Sequence, residues 1–270
     1  MFDQWRARVR RASWDGTVGP PRSSNAASSF HLSWLAPPGE WSAVEATLEV
    51  LVAPSVPALS FWALQASFVD RGRASGAGHL GLQWHPQHPG STAVNWGGYD
   101  EAGRELEGSA ASLPSALANP NTRDLAWTAG TAYRLAIRRA EGDLAAAPGP
   151  PPGFTAWRGE VTDLAADQTV VVRDLWARGT SLAAPVVWSE VFAGCDDPTA
   201  VVRWSDLAVV DPGGQTRTVD QVRVNYQAVS DGGCATTDVE VDEVGIRQTT
   251  GVVRITPSGA VVRVGQTERS

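Results

Sequence analysis

The chain has 270 residues, 43% hydrophobic and 19% charged, with a formal net charge of −7. That suits one large β domain or two small ones with a sizeable core, and it argues against general nucleic-acid binding, which needs a basic face. All 22 basic residues are Arg, so a lysine nucleophile, a Schiff base and a Walker-type phosphate loop are excluded.

Taken in chain order, the N-terminal stretch MFDQWRARVRRASWDG carries basic residues but no apolar h-region. No window reaches the length of a membrane-crossing helix, so the sequence reads as cytoplasmic and without a membrane span. Short runs rich in β-branched and aromatic residues follow: SSFHLSWLA, AVEATLEVLVA, LSFWALQASFV, HLGLQWH and TAVNWGG. Gly, Pro, Asn and Asp separate them, which predicts strands joined by turns. SAASLPSALANPNTRD reads as a loop with one helical turn around 112–117, and EGDLAAAPGPPPG (141–153) as an exposed connection. Strand patterns resume with AYRLAIRRA, FTAWRGEVTDL, QTVVVRDLWA, PVVWSEVFAG and AVVRWSDLAVV. In AYRLAIRRA, Tyr133, Leu135 and Ile137 share one face and Arg134, Ala136 and Arg138 the other, as in a half-buried strand. PVVWSEVFAG is apolar on both faces and is expected at the centre of a sheet. After DPGG at 211–214 the strands QVRVNYQAV, DVEVDEVGIRQ, VVRITPS and AVVRVG carry no Trp, although the chain has twelve. The expected organisation is a Trp-rich antiparallel β-sandwich over 1–212 with a small C-terminal β appendage over 213–270.

HLGLQWH with TAVNWGGYD, LAWTAGTAYRLAIRR, and WRGEVTDLAADQTVVVRDL with WSDLAVVD together resemble the concanavalin A-like jelly-roll sandwiches, the lectin, laminin-G and glucanase superfamily. The resemblance covers roughly 30–210 at the level of architecture and implies an all-β jelly-roll-like fold in a superfamily that includes both binders and enzymes. Its glucanases carry three spaced carboxylates on one strand. The nearest counterpart is TTDVEVDEVGI, where Asp238, Glu240 and Asp242 share a face but Glu243 points away. A solvated edge strand whose charges discourage pairing explains that stretch better.

Histidine is concentrated in HLGLQWHPQHPG. His79 and His85 lie about 20 Å apart along a strand and cannot share a metal ion, and His85 meets His88 only if the loop folds back. Alternation places Leu80, Leu82 and Trp84 in the core and turns Gln83, His85 and Asn95 outward, with Tyr99 beyond them. Amides beside an aromatic ring suit a sugar, so these residues are the candidate ligand-binding set. Glu190 joins them because it shares a strand face with Val186, Trp188 and Phe192. Such a carboxylate is either raised in pKa and fit for acid catalysis or held by an arginine. Arg203 and Arg173 are the candidate partners, and a buried pair with Arg203 predicts that Glu190→Gln destabilises the fold. Asp196 and Asp197 precede Pro198 and are candidate Ca²⁺ ligands or a plain turn. Cys195 and Cys234 fit no zinc spacing. Their loops are expected at one end of the sandwich, either as free thiols, which the lack of an export segment favours, or as one disulfide. The reading is a non-catalytic carbohydrate-binding or recognition sandwich with a glycan partner, no assigned catalytic residue and no cofactor besides the Ca²⁺ option. The alternatives are a glycoside-active enzyme using Glu190 with Asp196 or Asp197, and a structural or assembly protein.

Overall fold

The computed structural model describes residues 19–140 and 149–265. The N-terminal stretch and most of the expected connection at 141–153 lie outside the described residues. The strands are β1 (Ser28–Trp34), β2 (Ala43–Val52), β3 (Ser60–Asp70), β4 (Arg73–Trp84), β5 (Thr92–Asp100), β6 (Thr122–Asp124), β7 (Ala132–Arg139) and β8 (Thr155–Asp163). They continue with β9 (Gln168–Ala177), β10 (Ser181–Val191), β11 (Val201–Val210), β12 (Thr216–Thr218), β13 (Gln221–Tyr226), β14 (Thr237–Val241), β15 (Ile246–Thr250) and β16 (Val261–Arg263). Among the described residues, helix is confined to single turns at Pro89–Ser91 and Val229–Asp231, so the expected turn around 112–117 is absent.

Two antiparallel sheets form a β-sandwich. The first runs β16-β13-β1-β10-β3-β4-β5-β6 and the second β14-β15-β11-β2-β7-β8-β9, with β12 on β11. The strands after residue 213 extend both sheets: β13 pairs with β1, and β15 with β11. β10 sits centrally, between β1 and β3.

Period-two alternation places the core. Phe30 and Leu32 of β1, Trp62, Leu64 and Phe68 of β3, and Leu80 and Leu82 of β4 face Leu48, Leu135, Ile137, Trp157 and Trp204 of the second sheet. Trp96 is fully buried among them, and its indole N–H donates to the Trp157 carbonyl. Gly159 lies against this ring: a Cβ there would come within 2.6 Å of it, so the contact between the sheets requires glycine. Burying these aromatic residues supplies much of the driving force, at about 25 cal/mol per Å² of apolar surface.

Cys195 and Cys234 form a disulfide with Cα atoms 5.3 Å apart, joining the loop after β10 to the loop before β14. This overturns the preference for free thiols and bears out the expectation that the two loops meet. No described helix is long and apolar enough to cross a membrane.

Candidate functional site

The face of the first sheet turned away from the core is built by the other half of the alternation. In register, Ser29 of β1, Glu190 of β10, Phe61 of β3, Gln83 of β4 and Ala93 of β5 form one row. His31, Trp188, Ala63, Gly81 and Asn95 form the next, followed by Ser33, Val186, Gln65, His79 and Gly97. Phe61, Ala63, Val186 and Trp188 make a second apolar cluster, separate from the main core. Phe61 and Trp188 meet edge to face with ring centroids 4.9 Å apart, and His79 touches Phe61, Trp188 and Tyr99 at 5.8, 5.9 and 6.1 Å. His31 stands 6.1 Å from Trp188. Burial among these rings pushes the His79 pKa down to about 4, because a charged imidazole there loses its hydration. His79 is therefore neutral over most of the pH range and serves as a weakly polar wall.

Glu190 is half-buried at one end of this floor. It accepts a hydrogen bond from the Asn25 amide at 2.7 Å and a longer one from the Ser29 hydroxyl at 3.5 Å. Loss of solvent raises its pKa above the ordinary 4.5, and the two hydrogen bonds pull only partly against that. The expected arginine is not there. Arg203 lies in the other sheet, where it bonds Glu49 and Asp242, and Arg173 reaches Asn121. Both were suggested by nearness in sequence, but β10 and β11 belong to different sheets.

Gln83 stands across Phe61 from Glu190, two strand spacings away, or about 10 Å between backbones. Its side chain points to the outer face as alternation predicts, and the residue is only 5% exposed. One terminal atom of its amide, assigned as Oε1, is buried with no hydrogen-bond partner. Leaving such a group unpaired costs about 1–3 kcal/mol. Asn95 shares the face, donates to the Thr122 hydroxyl at 2.9 Å and also keeps an unpartnered amide oxygen. Gln65 accepts the Trp188 indole N–H at 3.2 Å. Tyr99 is exposed at the edge and touches His79.

The remaining candidates lie elsewhere. β4 stops at Trp84, so His85 leaves the sheet. The Pro-containing loop does fold back, setting the His85 ring 4.6 Å from that of His88, whose Nδ1 bonds Asp124 at 2.6 Å. Asp197 accepts from the Gly194 N–H of its own turn and Asp196 from the distant Gly19 N–H, so backbone amides engage both carboxylates. Among the described residues, no group of three His, Cys, Asp or Glu side chains is placed to hold a metal ion. Asp238 is buried and accepts from the Tyr226 hydroxyl and the Ile255 and Thr256 amides, a structural role rather than one in a carboxylate triad. Asn25, Ser29, Phe61 and Gln65 escaped the sequence reading. Phe61 and Gln65 were findable, since the alternation that exposes Gln83 exposes them too.

No protein-family model and no curated protein matches the chain. Among solved structures it is similar to scytalido-glutamic peptidase with a peptide-based transition-state analogue, at 12% identity over 84% of this chain and 98% of that one, with a TM-score of 0.43. It is also similar to SCP-B, a member of the eqolisin family of peptidases, in complex with the tripeptide Ala-Ile-His, at 12% identity over 87% and 99% of the chains, with a TM-score of 0.39. An alginate lyase from Klebsiella pneumoniae matches at 12% identity over 56% of this chain and 57% of that one, with a TM-score of 0.23. The expectation was a non-catalytic carbohydrate-binding sandwich, whereas the neighbours that run nearly the full length are peptidases. At such low identity they transfer no residue roles to this chain.

Proposed function

We propose that the outer face of the first sheet is the active site of a hydrolase that cleaves amide bonds of extended peptides on the acid side of neutrality. The observation that carries this reading is the pairing of Glu190 and Gln83 on either side of Phe61, a carboxyl of raised pKa opposite a buried amide with an unpartnered end. Glycoside hydrolysis calls for two carboxyl groups flanking the scissile bond, whereas Glu190 is the one acid in the three central rows described above. Amide hydrolysis needs one group to move protons and one to hold the developing oxyanion. In this reading the Glu190 carboxylate takes a proton from water as that water adds to the peptide carbonyl, and the Gln83 amide donates to the oxyanion. Glu190 then returns the proton to the leaving amine, and the C–N bond breaks. The rings of Phe61, Trp188 and His79 give an extended, apolar-lined seat for the substrate chain.

The disulfide supports an oxidising compartment as the place of work, because such bonds seldom persist in a reducing cytosol. The concanavalin A-like resemblance is kept as a likeness of sandwich architecture.

The test is cleavage of a quenched-fluorescent peptide library by the whole chain across acidic to neutral pH. Wild type is expected to cleave, Glu190→Gln to lose about 10²–10⁴ in rate and Gln83→Ala about 10²–10³, with both variants folded by circular dichroism. Absence of cleavage at every pH, or full activity in Glu190→Gln, overturns the reading.

A further inference from the structure

A second set of unsatisfied groups lies at the lateral edge of the sandwich, where β6 and β9 come together under the segment 105–121. That segment crosses between the sheets. Leu106 N–H donates to the Gly98 carbonyl, Ser109 N–H to the Asp174 carbonyl and Trp96 N–H to the Asn121 carbonyl. Beneath it, Arg173 is 4% exposed. Its Nη1 donates to Asn121 Oδ1 at 3.0 Å, while its Nε is buried and has no partner. Arg123, half-buried on β6, likewise has a buried Nε without a partner. Burial, and after it the like charge of Arg123, pull the Arg173 pKa down.

Among the described residues no acid is hydrogen-bonded to either guanidinium, although Glu105 and Asp124 lie within their fields. Asp174 is bonded to Arg158 on the opposite face of its strand. Asp124 turns to His88 and the Ala116 N–H. Glu105 acts on Arg173 only through its field and is exposed to solvent. Arg173 thus rests against a neutral amide, with the backbone of Gly108 packed so close that a Cβ there would lie 2.5 Å from Nη2. Burying a guanidinium without an anion is costly, and two together are worse.

We infer that Arg123 and Arg173 form a binding site for a compact oxyanion of the phosphate or sulfate type, with Arg173 as its floor and Arg123 as its mouth. The unused Nε donors match the oxygens of such an ion, which guanidinium groups grip through several N–H bonds at once. This site is separate from the Glu190 face and does not depend on the function assigned to it. Occupancy would tie the segment 105–121 to both sheets.

The experiment follows thermal unfolding while chloride is replaced by sulfate or by inorganic phosphate at constant ionic strength. Wild type is expected to show a saturable rise in Tm. Arg123→Gln is expected to bind sulfate about tenfold more weakly, or worse, and to melt no lower than wild type in chloride alone, because the repulsion is relieved. Arg217→Gln, which removes an exposed charge elsewhere, should respond as wild type does. Arg173→Met adds a second arm if it folds, and Arg123→Gln suffices if it does not. A wild-type Tm that does not respond to sulfate and phosphate, or an undiminished response in Arg123→Gln, overturns the proposal.

Discussion

The two outer faces of this sandwich are built by the same alternation yet treat charge in opposite ways. On the second sheet a set of acids meets arginines. Arg138 bonds Glu160, Arg158 bonds Asp174, and Arg203 joins Glu49 to Asp242, which also meets Arg247. On the first sheet the floor is aromatic, the one acid of the central rows is held by an asparagine and a serine, and two buried amides keep unpartnered atoms. A fold selected only for stability pairs its buried polar groups, so the unpartnered amide atoms of Gln83 and Asn95, beside a Glu190 that no arginine meets, fit the proposed substrate face.

The contrast can be broken by mutation. The largest effect is expected on the second sheet: Asp174→Asn removes the buried carboxylate charge that Arg158 meets with two N–H groups and should cost about 3–5 kcal/mol in denaturant unfolding. Replacing both cysteines with serine should cost about 2–4 kcal/mol by freeing the loop between positions 195 and 234. Arg203→Met, which removes bonds to two carboxylates at a partly exposed site, should cost about 1–3 kcal/mol.

The smallest effect is expected on the first sheet. Glu190→Gln should change stability by less than about 1 kcal/mol at neutral pH, reversing the destabilisation that an arginine partner implied. The sign of its pH dependence follows from the raised pKa. The folded state keeps the Glu190 proton to a higher pH than the unfolded chain does. Wild-type stability therefore falls as pH climbs from 4.5 through the folded pKa. Glutamine has no such loss, so Glu190→Gln should gain on wild type across that window and then hold its advantage. Paired melts over a pH series check this.

These outcomes also separate what alternation reveals from what it hides. Period two placed Val186, Trp188 and Glu190 on one face and turned Gln83 and Asn95 outward, because a strand's side-chain direction is local. Sheet membership is not local, and Arg203 was assigned to Glu190 from nearness in sequence although β11 runs in the opposite layer. Asn25 and Ser29, which do hold Glu190, come from residues 165 and 161 positions away. His85 was placed on a strand that ends one residue earlier, where His-Pro begins. The meeting of the Cys195 and Cys234 loops was legible from strand ends, but the bond itself was not, since the sequence shows no compartment.

The central claim is that Glu190 is a carboxyl of raised pKa, held by Asn25 and Ser29 with no arginine beside it, facing the proposed substrate seat. Titrating wild type with ¹³C-labelled glutamate by NMR, with Glu190→Gln to assign the resonance, measures it directly. The account predicts a Glu190 pKa clearly above 4.5, moving further when a peptide occupies the face. A value at or below 4.5, unchanged by peptide, would contradict it.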